Sequence, residues 1–285
     1  MKNIIEVTGL NKSYKNFSLT DVSFSLPAGC ITGFIGANGA GKTTTIRTIL
    51  GLAQKGSGNI RVFGKRLEDC EQEIKNRIGV VFDEGCFYDH MTMSEMKSII
   101  APAYTEWCDK DYGYYMDRFS LNPRQKISTL SGGMRMMFAL TLALSHKAEM
   151  LIMDEPTSGL DPLIRAQFLD IIADYMEQGG KGVLFSTHIT SDLDKVADMI
   201  ILIHNGRVLF VEERDHLLDS YRIVKGDVKS LNSENRKLFL SVRTTDFGFV
   251  GITRNISEVR ERMPNAIMER PAIEDLMLAH IGGRL

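Results

Sequence analysis

The chain has 285 residues, 34 basic and 36 acidic, for a formal net charge of −2. Hydrophobic residues make up 44% and charged residues 25%, ordinary usage for a folded globular chain, so disorder and fibrous repeats are excluded. The near-neutral balance argues against a dedicated nucleic-acid coat, which needs clustered cations to meet phosphate, and no nucleic-acid partner is expected.

The length suggests one large domain or a main domain with an appendix. The amino terminus, MKNIIEVTGL, carries Glu6 and no long apolar core, so it does not read as a signal peptide. Between Val22 and Gly41, 20 residues pass without Asp, Glu, Lys or Arg, but five glycines, Pro27 and Asn38 break the continuous apolarity that a membrane span needs. The chain by itself is therefore expected to be soluble.

Short β-branched runs then alternate with helical stretches up to about residue 215. Strands are predicted at CITGFIG (30–36), IGVVFD (78–83), MLIMD (150–154), GVLFST (182–187) and MIILI (199–203), with helices over 42–52, 131–146 and 162–178. Uniformly apolar strands are those covered on both faces, so the order predicts a mainly parallel α/β sheet with right-handed crossovers. His204-Asn205-Gly206-Arg207 reads as a hairpin turn leading into VLFV.

Two stretches break this alternation. Residues 84–130 carry few strand signals, and Thr92 and Glu95 have the spacing of a capping box that starts a helix near Met93; a helical subdomain is expected over about 84–137. Beyond the main domain (1–215), residues 216–285 are expected to form a small accessory α/β region. Its strands are YRIVKGD, KLFLSVRT and AIMER, and its helix covers 272–280. Phe247 and Phe249 alternate around Gly248 as residues of a strand face do. The cysteines Cys30, Cys70, Cys86 and Cys108 are scattered without a CxxC pair, which fits a reducing compartment better than a disulfide framework or a zinc site.

The chemistry concentrates in three segments. Gly36-Ala37-Asn38-Gly39-Ala40-Gly41-Lys42-Thr43, followed by Thr44, fits the phosphate-loop pattern GxxxxGK[ST] between a strand and a helix. Such a loop points backbone amides and a helix amino terminus at phosphate oxygens; Lys42 would reach the β- and γ-phosphates and the Thr43 hydroxyl would sit on magnesium. MLIMDEP (150–156) ends an apolar strand in two carboxylates. Asp154 is placed to hold magnesium through its water shell, and Glu155 to accept a proton from attacking water. Leu130-Ser131-Gly132-Gly133-Met134-Arg135 precedes an apolar helix. Standing alone, it would read as a cap and turn with open amides.

GANGAGKT, LSGGM, MLIMDEP, Ser158-Gly159-Leu160-Asp161 and Thr187-His188 occur in the order found in ATP-binding-cassette (ABC) ATPases, and the chain resembles that family from residue 1 to about 215. GNIRVFG (58–64) and the near-terminal RPAIEDLML look like the ATPase subunits of bacterial exporters that handle drugs, peptides or lipids. The resemblance implies an α/β fold: a phosphate-loop NTPase core of the ABC type with a helical insertion and a small carboxy-terminal α/β appendix. It implies ATP and Mg2+ as cofactors. Tyr14 then matches the aromatic that stacks on adenine, the alternative being a strand-end packing tyrosine. Ser131, Gly132 and Gly133 match the signature that contacts ATP held by the opposite subunit. Asp161 matches the residue that crosses the dimer seam, and His188 the switch histidine that contacts the γ-phosphate and orients Glu155. The family usually places glutamine after the strand at 78–82, where this chain has Asp83. A carboxylate there reads either as a substitute magnesium ligand or as a surface acidic turn.

The implied function is an ATPase that powers a membrane exporter from the cytoplasmic face. Its partners are a separate transmembrane permease subunit and a second cassette. Set against this are a soluble ABC protein of translation or DNA maintenance, an ATP-binding regulator with weak turnover, and an importer ATPase. Met134, Met136 and Met137 read as packing residues. Met91, Met93 and Met96 lie where the family meets its membrane subunit, with a core role the alternative.

Overall fold

The computed structural model describes residues 2–82 and 87–282. The chain opens with β1 (Asn3–Ser13) and β2 (Ser18–Pro27), then β3 (Ile31–Ile35) and α1 (Lys42–Ile49). Next come β4 (Ser57–Val62), β5 (Lys65–Arg66), α2 (Glu71–Asn76) and β6 (Ile78–Phe82). Three helices follow, α3 (Met93–Ile100), α4 (Asp109–Arg118) and α5 (Gly132–Leu144). Strands and helices then alternate through β7 (Met150–Asp154), α6 (Pro162–Glu177), β8 (Gly182–Thr187), α7 (Thr190–Val196), β9 (Met199–His204) and β10 (Arg207–Glu213). The remainder comprises α8 (Arg214–Asp219), β11 (Arg222–Gly226), α9 (Ser233–Arg236), β12 (Phe239–Thr245), β13 (Gly248–Thr253), α10 (Ile256–Arg262), β14 (Ile267–Glu269) and α11 (Ile273–His280).

The apolar runs form the central sheet, ordered β10-β9-β3-β8-β7-β6. Its neighbours run parallel except the β9–β10 hairpin. Every residue of β3, β7 and β8 is buried, as strands covered on both faces must be. The hairpin turns at Asn205 (φ 47°) and Gly206 (φ 72°), the pair of positive dihedrals that a two-residue loop needs to match strand twist.

One face of this sheet is closed by an antiparallel sheet, β2-β1-β4-β5. Leu10, Leu19, Val22 and Leu26 from that sheet share a core with Phe34, Ile46 and Ile49. The other face packs α5, α6 and α7 in a second, larger core. Ser131 caps α5 by accepting the Met134 amide at 3.2 Å, and the helix is buried from Met136 to Leu144. The Thr92–Glu95 capping box is present in both directions: the Glu95 amide donates to Thr92 Oγ1 at 3.2 Å, and the Thr92 amide to the Glu95 carboxylate at 2.7 Å. Met93, Met96, Met136 and Met137 are core residues.

A third sheet, β12-β13-β11-β14, carries its own small core of Val224, Phe249, Val259 and Met263. Phe249 lies on β13, but Phe247 does not share its strand face. It occupies the turn between β12 and β13 and is fully exposed. Helix α11 leaves this sheet and docks on α7. Ile273 and Leu276 enter the larger core, and the Ile273 amide donates to Asp194 Oδ1 at 3.4 Å. Among the described residues, no helix is long and apolar enough to cross a membrane.

Candidate functional site

The site lies at the carboxyl ends of β3, β7 and β8, where an open parallel sheet leaves strand-to-helix loops free to hold a ligand. Gly36–Gly41 wraps the end of β3 and delivers the chain into α1. Gly41 has φ 116°, and a Cβ there would meet Leu19 at 2.8 Å and Phe17 at 2.9 Å, so only glycine fits. Helix α1 has no side-chain cap and no acidic residue in its first turn. Its first amides and the positive end of its dipole are therefore left for an anion. The loop is braced from behind, where the Gly206 amide donates to the Ala40 carbonyl at 2.9 Å.

Lys42 is 5% exposed. Its ammonium donates to the Gly36 carbonyl at 2.7 Å and pairs with Glu155 Oε1 at 3.1 Å. The other carboxylate oxygen of Glu155 accepts from the His188 amide at 3.1 Å and lies 2.7 Å from His188 Nδ1. Lys42, Glu155 and His188 thus form a continuous chain of polar contacts across three loops. Glu155 has φ 53°, a left-handed conformation that costs a non-glycine residue roughly 1–2 kcal/mol. Its amide is tied to the Ser186 carbonyl at 2.9 Å, which holds that conformation.

Asp154 sits beside Glu155, paired in register with Ser186. Asp154 Oδ1 and Ser186 Oγ are both buried without a hydrogen-bond partner. A buried carboxylate oxygen with no donor suits a cation, so the residues present fit a magnesium ion. Among the described residues no group of three His, Cys, Asp or Glu side chains could hold a metal.

A cleft of about 480 Å³ opens over the loop, lined by Asn16, Phe17, Asn38–Thr44 and Glu155. Tyr14 does not line it. Its ring is 51% exposed, with the Lys12 ammonium 4.7 Å from its centroid. The aromatic on the cleft wall is Phe17, which sequence reasoning missed; no motif marks it, and its position follows from the turn in which the Tyr14 amide donates to the Phe17 carbonyl at 2.7 Å. Ser131, Gly132, Gly133 and Asp161 are not on the cleft wall either. Asp161 caps α6, accepting from Leu163 and Ile164 at 3.0 Å each, and Gly133 faces Ile164 across the gap to that helix. Asp83 lies outside the described residues.

Residues 19–158 match the family model described as ABC transporter. The bacitracin transport ATP-binding protein BcrA of Bacillus licheniformis is 34% identical over 220 residues, 76% of this chain and 72% of that protein. The chain belongs to the ABC transporter ATP-binding family. This ABC subunit is also 32% identical to the linearmycin resistance ATP-binding protein LnrL of Bacillus subtilis over 220 residues, 75% of this chain and 70% of that protein. Its fold matches a solved ATP-binding subunit of an ABC transporter with a TM-score of 0.69 at 29% identity, over 76% of this chain and 92% of that one. The α/β architecture expected from the motifs is thereby established. The ABC subunit binds and hydrolyses ATP as part of a membrane transporter.

Proposed function

We propose that this subunit is the magnesium-dependent motor of an exporter, closing head to tail with a second cassette around two ATP molecules and driving a separate permease subunit from the cytoplasmic face of the membrane. The observation that carries the reading is the one-sided cleft. Lys42, Thr43, Thr44 and Glu155 line it, while the capped starts of α5 and α6 at Ser131 and Asp161 stand apart from it. A second copy, or a related cassette, would bring its own Ser131–Gly133 and Asp161 against the open side.

In that complex the loop amides and Lys42 bind the triphosphate, and Phe17 or Tyr14 offers a ring to the base. Thr43 and Asp154, with Asp83 as a third oxygen donor, would hold magnesium, which neutralises phosphate charge. Glu155 takes the proton of the attacking water, and His188 fixes the carboxylate in place through the contacts at 2.7 and 3.1 Å. Lys42 is shared between Glu155 and the Gly36 carbonyl, so phosphate entry releases the carboxylate for its work as base.

The permease reading is supported by an apolar groove of about 380 Å³ between the central sheet and the helical region, walled by Leu50, Leu52, Phe82, Phe87, Ile100 and Tyr104 among others. The exporter direction, and a drug or peptide as cargo, are carried over from the bacitracin and linearmycin relatives. Residues 216–285 are read as an accessory region added to a 1–215 cassette.

Light scattering of Glu155→Gln with and without magnesium-ATP tests the closure. The expected result is a doubling of mass that needs both nucleotide and metal. A mass that stays monomeric at saturating ATP would contradict closure between copies of this chain.

A further inference from the structure

We propose that Asp192 is a positioning residue for hydrolysis, locking the loops that carry Glu155, Asp161 and His188 into one rigid unit. The inference rests on the ATPase reading of the site. Asp192 is 1% exposed, in the first turn of α7, four residues after His188. Its Oδ2 accepts from Thr157 Oγ1 at 2.6 Å, and its Oδ1 from Arg165 Nε at 2.5 Å. The same guanidinium reaches Ser191 Oγ at 3.1 Å.

Each partner sits on a different functional segment. Thr157 is two residues beyond Glu155 and is itself 1% exposed. Arg165 is in the turn of α6 that Asp161 caps, its amide bonded to the Asp161 carbonyl at 3.0 Å. The intervening chain is a run of tight turns, Ser158 to Glu155 at 3.1 Å and Leu160 to Thr157 at 3.3 Å, so a fixed Thr157 fixes both ends of the segment. A carboxylate this deeply buried is stable only if paired and fully hydrogen-bonded, and both oxygens of Asp192 are engaged. Removing one partner does more than loosen a side chain. Losing Arg165 leaves the buried Asp192 carboxylate without its cation, and losing Asp192 itself parts the segments that carry Thr157 and Arg165 from α7.

The contact matters to the reaction because Glu155 holds a left-handed backbone while bridging Lys42 and His188. Its geometry depends on β8 and α7 on one side and on the turns up to Asp161 on the other. Asp192 ties those sides together without touching the cleft. From the opposite side α7 is packed by α11 and by β3, where a Cβ on Gly33 would strike Leu193 at 2.5 Å. The helix is therefore a fixed anchor against which Asp192 can hold the other two loops.

The test compares Asp192→Asn, Thr157→Val, Arg165→Gln and Arg165→Lys with the wild type in ATP turnover, KM and the nuclear magnetic resonance signals of the His188 ring. Displaced catalytic groups cost on the order of 10–100-fold in rate. Asp192→Asn and Arg165→Gln are expected to lose that much kcat with KM for ATP within about twofold, and to shift the His188 ring signals. Arg165→Lys, which keeps the charge, should recover part of the loss. Thr157→Val, close to isosteric, carries the test if Asp192→Asn fails to fold, and should show a smaller loss of the same kind. Variants with kcat within about twofold of wild type and unmoved His188 signals would overturn the proposal. A wild type without turnover would instead overturn the ATPase reading, and the His188 signals would still decide the role of Asp192.

Discussion

Lys42 already holds two partners that a triphosphate would have to replace, the Gly36 carbonyl at 2.7 Å and Glu155 at 3.1 Å. A charge-assisted contact of this kind is worth roughly 1.5–3 kcal/mol, so Lys42→Ala should lower ATP affinity about tenfold or more. Equilibrium dialysis with labelled nucleotide measures it, and unchanged affinity would contradict the assignment. The residues of the loop and the acidic pair were legible in the sequence because their chemistry demands a fixed spacing: glycines where amides must turn outward, and carboxylates where an apolar strand ends. Phe17 and Asp192 were not legible. A ring reaches the cleft through the path of a turn, and a buried aspartate is recognised by partners that lie 27 and 35 residues away in sequence. The left-handed backbone of Glu155 was equally invisible, since residue type alone does not announce it.

At the scale of elements, legibility followed burial. β3, β7 and β8 are apolar throughout because helices and sheet cover both faces, and the predicted spans match them to within a residue. The amino-terminal sheet was harder to read, because its strands alternate buried and exposed positions and are interrupted by register shifts. The end of α5 carries a device that no pattern flagged. His146 is 1% exposed, with Nδ1 3.2 Å from the Leu142 carbonyl, Nε2 3.1 Å from the Ile78 carbonyl and the Tyr104 ring stacked on it at 3.8 Å. Burial pushes its pKa below the ordinary histidine value of 6.5, outweighing the two carbonyls that favour the charged ring. The unfolded chain then binds more protons than the folded one just below that value. The contribution of His146 to stability is present above about pH 6.5 and is lost as pH falls toward the lowered folded pKa. His280, also lowered by burial, acts in the same direction. Calorimetry should show the melting temperature falling between about pH 7.5 and 5.5, and falling less in His146→Phe. An equal fall in both proteins would contradict the account.

The whole molecule is an ABC cassette with the phosphate-loop cleft open on its surface. The central sheet brings the phosphate loop, the acidic pair and His188 to one edge. Ser131 and Asp161 head neighbouring helices away from that cleft. The third sheet is tied in through α11, whose contact with α7 connects it to the helix that follows His188. The motor reading depends on a single chemical event, proton removal from water by Glu155. Phosphate release by the wild type and by Glu155→Gln, measured with ATP binding in the same preparations, tests it most directly. The wild type should turn over, and the variant should bind ATP while releasing phosphate at least about 100-fold more slowly. A Glu155→Gln protein that releases phosphate at close to the wild-type rate would contradict the mechanism.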